Sequence, residues 1–232
     1  MIRLTIDGQT VEVPEGTRIW EAARAAGIEI PVLCHDPRLS PVGVCRMCVV
    51  DVGERALTTS CTRTCESGMS VETDSPEIEG HRKMLTGLLM SDQPDPNEDR
   101  RESTRGDNEL LALARQHFPE TLTDPRLAKG SARPCDDSSA VIAVNHQACI
   151  LCDRCIRACN DVQSNEVLGR TGKSYATRIA FDLDAPMGES SCVSCGECAA
   201  VCPTGALVDK PINETAQPPE ELTTVDSVCP YC

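Results

Sequence analysis

The sequence has few aromatic side chains and no long hydrophobic run. Its 232 residues include one Trp, two Tyr and two Phe, so large apolar side chains can contribute only a modest core. No apolar stretch approaches the roughly 18 residues that indicate a membrane span. Apolar and polar residues alternate at the N-terminus, and a turn follows within a few residues. This segment is too short and too polar to supply the apolar core of a signal peptide. These absences predict a cytoplasmic protein without membrane insertion.

A net positive charge and nucleotide-binding patterns are also lacking. The net charge of −14 repels phosphates, which argues against nucleic acid as a partner. Gly-x-Gly-x-x-Gly and P-loop patterns are absent, and no general base or nucleophile stands out. The chain is therefore not expected to contain a complete catalytic site.

Cysteine, by contrast, is abundant, with sixteen in the chain. In a reducing compartment, clustered cysteines bind metal more often than they form disulfides. Ligation also joins distant segments, so the free energy of metal binding would add to that of a small core.

One cysteine pattern occurs twice. The spacing C-x2-C-x2-C-x3-C runs from Cys149 to Cys159 and again from Cys192 to Cys202. This is the run of bacterial two-cluster ferredoxins, in which the fourth cysteine of each run ligates the other cluster. We therefore expect two [4Fe–4S] clusters, with ligand sets Cys149, Cys152, Cys155, Cys202 and Cys192, Cys195, Cys198, Cys159. The alternative is a pair of zinc sites, but four-cysteine zinc modules usually present two C-x2-C pairs per metal.

A third set lies upstream, at Cys34, Cys45, Cys48 and Cys61, with ten, two and twelve intervening residues. The spacing differs from the plant-type pattern but suits a [2Fe–2S] cluster with two thiolates per iron. Gly43 is expected to let the loop bring backbone N–H groups near the sulfides. On spacing alone, Cys65 is a rival fourth ligand.

The pattern around these motifs predicts an α+β protein. Residues 2–13 read as a hairpin around Asp7-Gly8, followed by a helix capped by Thr17, running through Ala26 and ended by Gly27. Further strands are expected at 49–52, 56–58 and around Val71. Together they suggest a β-grasp ferredoxin fold over residues 1–78.

The middle of the chain reads as a helical and irregular linker over 79–139. An apolar stripe at helical spacing predicts a helix whose inward face carries Ile78, His81, Leu85, Leu88 and Leu89. Residues 91–108 read as a loop, 110–118 as a short helix, and the stretch to Ser139 as irregular. The two-[4Fe–4S] domain is expected at 140–212, followed by a tail over 213–232.

With these residues in place, the chain resembles a known group. Residues 31–35, 43–50 and 61–69 are similar to the N-terminal module of the large iron–sulfur subunit of complex I and of cytosolic NAD-dependent formate dehydrogenases. Residues 149–163 and 192–207 are especially similar to the formate dehydrogenase catalytic (alpha) subunit. The resemblance favours Cys61 over Cys65 as the fourth ligand and leaves Cys65 a buried free thiol.

The tail and the linker can be compared with the same group of proteins. Val228 to Cys232 matches the opening of Cys-Pro-Tyr-Cys-Gly-Val-Gly-Cys, which in that family begins the molybdopterin domain, so that domain is expected outside this chain. Cys229 and Cys232 are then expected to be an unliganded pair.

Relatives also carry a cluster with one His and three Cys ligands after the helix at 78–90. This chain has no cysteine there, and that cluster is expected to be missing.

The remaining candidate residues are expected to have ordinary roles. Cys135 is expected to be a spare thiol, and surface or packing roles are expected for His35, His81, His117 and His146.

The resemblance implies the electron-relay part of a molybdenum- or tungsten-dependent formate dehydrogenase. Electrons would pass from a pterin-bound metal through the clusters to a flavin-bearing, NAD-reducing diaphorase partner. The alternatives are the iron–sulfur diaphorase subunit of an NAD-reducing hydrogenase and, from a different class, a zinc-binding interaction module.

Overall fold

A computed structural model describes residues 1–95, 99–122 and 133–210. The predicted tail, with Cys229 and Cys232, lies outside the described residues. Within the described part, no helix has the length and apolar character needed to cross a membrane.

The chain begins with the predicted hairpin. Strands β1 (Ile2–Ile6) and β2 (Gln9–Val13) pair antiparallel, with Ile2 opposite Val13. Asp7 and Gly8 both have positive φ, 48° and 79°, as a two-residue hairpin turn of type I′ requires. Strand β5 (Ser70–Val71) pairs in parallel with β1, which gives the sheet order β2-β1-β5.

Helix α1 (Ile19–Ala25) packs on this sheet through Ile19, Ala22 and Ala23. The predicted cap at Thr17 is wrong, because the residue that precedes the helix is Arg18. Its backbone N–H donates to the Glu21 carboxylate at 3.0 Å. Strands β3 (Val49–Val50) and β4 (Thr58–Thr59) form a separate ribbon, shorter than predicted.

Helix α2 (Pro76–Ser91) forms where it was predicted, but its inward face differs. His81 is exposed and Leu88 is 51% exposed, so the predicted stripe is wrong at these two residues. The positions that are buried are Ile78, Arg82, Thr86 and Gly87. Arg82 can face inward because backbone carbonyl oxygens accept its guanidinium hydrogen bonds.

The prediction of a loop over 91–108 is also wrong in part, because it contains helix α3 (Arg100–Arg105). Asp99 caps this helix by accepting the N–H groups of Arg101 at 2.9 Å and Glu102 at 3.1 Å. Gly106, with φ 64°, ends it. Helix α4 (Glu109–His117) follows, as predicted, after the cap residue Asn108, and a 3-10 turn covers Pro119–Leu122.

The C-terminal part contains two small sheets and two one-turn helices. Strand β7 (Ile142–Asn145) lies between β6 (Cys135–Asp136) and β10 (Leu207–Asp209). Strands β8 (Leu168–Thr171) and β9 (Arg178–Phe181) form a hairpin. Helix α5 (Arg154–Arg157) contains the third cysteine of the first repeat, Cys155, and helix α6 (Glu197–Ala200) contains that of the second, Cys198. Cysteine side chains themselves make up a large part of the core enclosed by these elements.

Candidate iron–sulfur cluster sites

The four N-terminal cysteines come together next to the β-grasp sheet. The side chains of Cys45 and Cys61 lie next to the Cys34 sulfur, and these neighbours hold the pKa of Cys34 well below its ordinary value. The pKa values of Cys45 and Cys61 are raised by the same contacts and by burial. The Cys61 thiol also contacts Cys48 and lowers the Cys48 pKa to about 7. The four sulfurs therefore lie in one connected group.

Cys65 differs from these four in what surrounds its sulfur. Its side chain is 5% exposed and packs in the β-grasp core. The pKa of the Cys65 thiol is raised by burial and by the nearby Glu21 carboxylate, whereas each of the four other thiols is shifted by a neighbouring cysteine. This geometry favours Cys61 as the fourth ligand.

The loop between Cys34 and Cys48 brings backbone N–H groups to the sulfurs. The N–H of Val44 lies near the Cys34 sulfur and that of Met47 near the Cys45 sulfur. Gly43 has φ 64°, and a Cβ there would meet Thr62 Cγ2 at 3.2 Å. Glycine at this position therefore allows both the left-handed backbone and the close approach of the threonine.

The eight cysteines of the two repeats line two separate cavities. One is lined by Cys149, Cys152, Cys155 and Cys202. The other is lined by Cys159, Cys192, Cys195 and Cys198. Each cavity thus takes three close cysteines from one repeat and the last cysteine of the other repeat.

The two cysteine loops have the same backbone conformation. Leu151 and Asp153 have positive φ, and so do Ser194 and Gly196 at the equivalent positions. The N–H two residues after the first cysteine donates to that cysteine's sulfur at 3.4 Å in both repeats. Helices α5 and α6 begin at the same position relative to the first cysteine of each repeat. The sequence repeat is therefore also a structural repeat.

The chemistry of these cavities fits iron–sulfur clusters. Burial raises the pKa of Cys149 to about 11 and that of Cys198 to about 12, and it also raises the pKa of Cys155. Such thiols hold their protons at neutral pH unless a metal replaces them. Four soft sulfur donors around a largely apolar cavity suit a cluster of iron and sulfide.

The region after α2, where a further cluster is expected to be missing, contains a small polar network. The described residues after α2 contain no cysteine before Cys135. A small cavity is lined there by Gln93, Asp99 and Asn108, together with apolar residues. All three polar side chains are buried, and Asn108 Nδ2 donates to Asp99 Oδ2 at 2.7 Å.

The lone cysteine and the histidines lie outside the cysteine groups. Cys135 is exposed on β6. His35 is buried and meets the edge of Trp20, with ring centroids 4.8 Å apart. His146 is buried too, and burial lowers its pKa. His117, at the end of α4, is exposed.

Sequence reasoning missed a set of arginines whose guanidinium groups donate to backbone carbonyl oxygens of the cysteine loops. Arg82 donates to the oxygens of Met47 and Val49 at 3.2 and 3.0 Å, on either side of Cys48. Arg133 donates to the Cys149 oxygen at 3.3 Å. Comparable contacts are made by Arg101, Arg154, Arg157 and Arg170. No local pattern marks these residues, because their acceptors are distant in sequence or are backbone atoms.

Two family models match the chain, one toward each end. A 2Fe-2S iron-sulfur cluster binding domain matches residues 1–76, and a 4Fe-4S dicluster domain matches residues 140–206. The chain therefore has a [2Fe–2S] ferredoxin-like domain followed by a [4Fe–4S] dicluster domain, which confirms the predicted fold class. The domain limits at 78, 139 and 212 remain predictions.

Curated relatives are subunits of larger oxidoreductases. The chain is 35% identical over 237 residues to an NADH-quinone oxidoreductase subunit of Rhizobium meliloti (strain 1021), with 100% of this chain and 27% of the relative covered. It is 35% identical over 216 residues to an NADP-reducing hydrogenase subunit, HndD, of Solidesulfovibrio fructosivorans, with 90% and 36% covered. The chain thus spans only about a quarter to a third of the length of these relatives.

A solved structure resembles the chain over almost its whole length. A chain of the NAD+-reducing [NiFe]-hydrogenase in the H2-reduced state superimposes with a TM-score of 0.82 at 28% identity. The match covers 93% of this chain and 90% of that chain. The chain is therefore similar to the iron–sulfur parts of subunits of NAD(P)-linked oxidoreductases.

Proposed function

We propose that this chain is an iron–sulfur electron relay of an NAD(P)-linked oxidoreductase. The observation that carries the proposal is the grouping of twelve cysteines into three sets of four within one chain. The proposed [2Fe–2S] ligands are Cys34, Cys45, Cys48 and Cys61. The proposed [4Fe–4S] ligands are Cys149, Cys152, Cys155 and Cys202 in one set and Cys159, Cys192, Cys195 and Cys198 in the other. Clusters bound there would accept and pass on single electrons.

The residues of the chain hold and shield these sites to different degrees. All four cysteines of the Cys149 set are buried, and the same is true of Cys34, Cys48 and Cys61. Cys195, in the other set, is exposed and Cys192 is partly exposed. Val193, which lies between these two cysteines in sequence and lines the same cavity, is 66% exposed. The open side of this second [4Fe–4S] site is where we place electron exchange with a catalytic partner.

For the parent enzyme we propose a molybdenum- or tungsten-dependent formate dehydrogenase in the cytoplasm. Support comes from the similarity of residues 149–163 and 192–207 to its alpha subunit and from the Cys-Pro-Tyr-Cys segment ending at Cys232. The partners would be a molybdopterin catalytic domain or subunit and a flavin- and NAD-binding diaphorase subunit. Formate oxidation itself would take place outside the residues of this chain.

A second candidate is the iron–sulfur diaphorase subunit of an NAD-reducing hydrogenase. The whole-length match to a chain of an NAD+-reducing [NiFe]-hydrogenase, at a TM-score of 0.82, favours it. The relay chemistry of this chain would be the same in both parent enzymes, because the same cysteines would hold the same clusters. The two candidates differ in the catalytic metal of the partner.

The test is metal analysis of the native assembly, purified anaerobically. At least about ten iron atoms per chain, with matching sulfide, are expected for one [2Fe–2S] and two [4Fe–4S] clusters, and any cluster in a partner subunit would add to this number. Near-stoichiometric molybdenum or tungsten would support the formate dehydrogenase assignment, whereas nickel without either would replace it by the hydrogenase. Zinc without iron would overturn the electron-relay function itself, since zinc has no redox chemistry.

A further inference from the structure

Arg157 connects two of the cysteine sites directly. Its side chain is buried, at 8% exposure. Nη2 donates to the backbone oxygen of Cys34 at 2.5 Å and to that of Cys152 at 3.2 Å. Nη1 donates to the Ser40 oxygen at 2.5 Å, and Nε to the Asp153 oxygen at 3.2 Å. One guanidinium therefore holds a ligand residue of the [2Fe–2S] site and a ligand residue of the first [4Fe–4S] site.

The positive charge of Arg157 has no carboxylate partner in the part of the chain that the structure describes. The other arginines near this [4Fe–4S] site do have one: Arg154 pairs with Glu109 at 2.6 Å, and Arg170 with Asp153 at 2.7 Å. A buried cation is costly unless an opposite charge lies close to it. Iron–sulfur clusters held by four thiolates are anions, so clusters in the two sites would supply the missing negative charge from both sides.

The contact around Arg157 is packed as well as hydrogen-bonded. Leu39 is buried against Ala158 and Val201. Arg38 extends from the same segment and pairs with Glu197 of α6 at 2.8 Å. The segment that follows Cys34 therefore contacts α6 and the residues directly after α5 and α6. Arg157 is the residue of this contact that reaches the cluster ligands.

We propose that Arg157 is a positioning residue that fixes the [2Fe–2S] site against the first [4Fe–4S] site and raises the reduction potentials of both clusters. This inference rests on the proposed electron relay. A cation between two anionic clusters stabilises their reduced, more negative forms, and the effect is strong where water is excluded. The hydrogen bonds also fix the separation of the two sites, on which the rate of electron transfer between them depends.

Two substitutions separate charge from geometry. Arg157→Met removes the charge and all four hydrogen bonds. Arg157→Lys keeps the charge but lacks the planar fork that reaches several acceptors at once. Arg170→Met is the matched control, because Arg170 donates to the Leu151 oxygen and the Asp153 carboxylate, both at 2.7 Å. Among the described residues, its side-chain hydrogen bonds go only to this [4Fe–4S] loop.

The measurement is an anaerobic redox titration followed by electron paramagnetic resonance on the cluster-loaded chain. In Arg157→Met, the equilibrium constant for reducing each of the two clusters should fall by about tenfold, or about 59 mV for a one-electron couple. Arg157→Lys should restore most of this shift but show a weaker spin–spin interaction between the two reduced clusters. Arg170→Met should leave the [2Fe–2S] potential at its wild-type value.

Wild-type potentials in Arg157→Met, or a shift confined to the [4Fe–4S] cluster as in the control, would overturn the inference. If Arg157→Met does not assemble its clusters, Arg157→Lys with wild-type iron content decides: a weakened spin–spin interaction supports the inference and an unchanged one refutes it. A wild-type chain that binds no iron would refute the electron relay itself, which iron analysis before the titration distinguishes from a failure at Arg157.

Discussion

Single residues decide how tightly the [2Fe–2S] loop can close. Gly43 and Gly53 both have positive φ, 64° and 74°, but their surroundings differ. A Cβ on Gly43 would meet Thr62 Cγ2 at 3.2 Å and Thr59 Oγ1 at 3.3 Å, whereas a Cβ on Gly53 would have no atom within 4 Å. Gly43 is therefore required for conformation and for space, and Gly53 for conformation alone.

The Gly43→Ala substitution should destabilise the chain more than Gly53→Ala does. Each places a Cβ in the left-handed region, which costs roughly 1–2 kcal/mol. Only at residue 43 must the threonines also shift. We expect the free energy of unfolding, measured by urea titration, to fall further for Gly43→Ala and its [2Fe–2S] absorbance to be lost at lower urea. Equal losses of unfolding free energy in both variants would show that Thr59 and Thr62 can move aside without lowering stability.

Single-residue substitutions also test which cysteine is the fourth [2Fe–2S] ligand. Cys61→Ala should abolish the [2Fe–2S] spectrum, because its sulfur contacts both Cys34 and Cys48. Cys65→Ala should keep that spectrum and lower stability by about 1 kcal/mol, close to the transfer free energy of a small buried group. Visible circular dichroism of the two variants shows which of the two cysteines the [2Fe–2S] cluster requires. A spectrum that survives in Cys61→Ala and is lost in Cys65→Ala would reverse the assignment.

At the scale of elements, the helices between the two cluster domains are held by their caps. Asn108 caps α4 by accepting the Leu111 N–H at 3.0 Å, and it also donates to the buried Asp99. Ser75 caps α2 in the same way, accepting the Ile78 N–H at 3.3 Å, and Asp99 in turn caps α3. The Asn108–Asp99 pair therefore ties the starts of two helices together.

Asn108→Ala should cost about 2–3 kcal/mol of unfolding free energy, because it removes a cap and a buried hydrogen bond to a carboxylate. Ser75→Ala, the matched control, removes only a cap and should cost about 1 kcal/mol. Chemical denaturation followed by far-ultraviolet circular dichroism measures both. Equal costs would mean that the Asp99 bond contributes nothing.

At the scale of the whole molecule, the C-terminal core depends on its cysteines. Its buried cluster combines Cys149, Cys155, Cys159, Cys198 and Cys202 with aliphatic residues and a single aromatic, Phe181. Ligation should therefore supply much of its folding free energy.

The cluster-loaded and the iron-free chain should respond to pH in opposite directions. Acid should weaken cluster retention in the loaded chain, and alkali should weaken the stability of the iron-free chain. Cluster binding displaces thiol protons, so cluster retention should weaken as pH falls. In the iron-free chain, burial raises the pKa of Cys149 from an ordinary value of 9.0 to about 11. Its contribution to stability is present below pH 9 and is lost as pH rises toward 11.

These trends are measured by visible absorbance of the cluster-loaded chain and by denaturation of the iron-free chain across the same pH range. Stability of the iron-free chain that is constant between about pH 9 and 11 would contradict the burial of these thiols. Cluster retention that does not change on acidification would contradict ligation by thiolates.

The sequence by itself determined the features that depend on neighbours along the chain. The Asp7-Gly8 turn requires positive φ at both residues, and each C-x2-C-x2-C run brings three sulfurs to one cavity, so both could be predicted locally. Helix α3 was missed because it has no apolar stripe and is held by its caps, Asp99 and Gly106. The inward turn of Arg82 and the connection made by Arg157 were decided only by the tertiary structure. Their acceptors are backbone oxygens as far as 35 and 123 residues away, and because every residue carries such an oxygen, no sequence pattern identifies which ones are used.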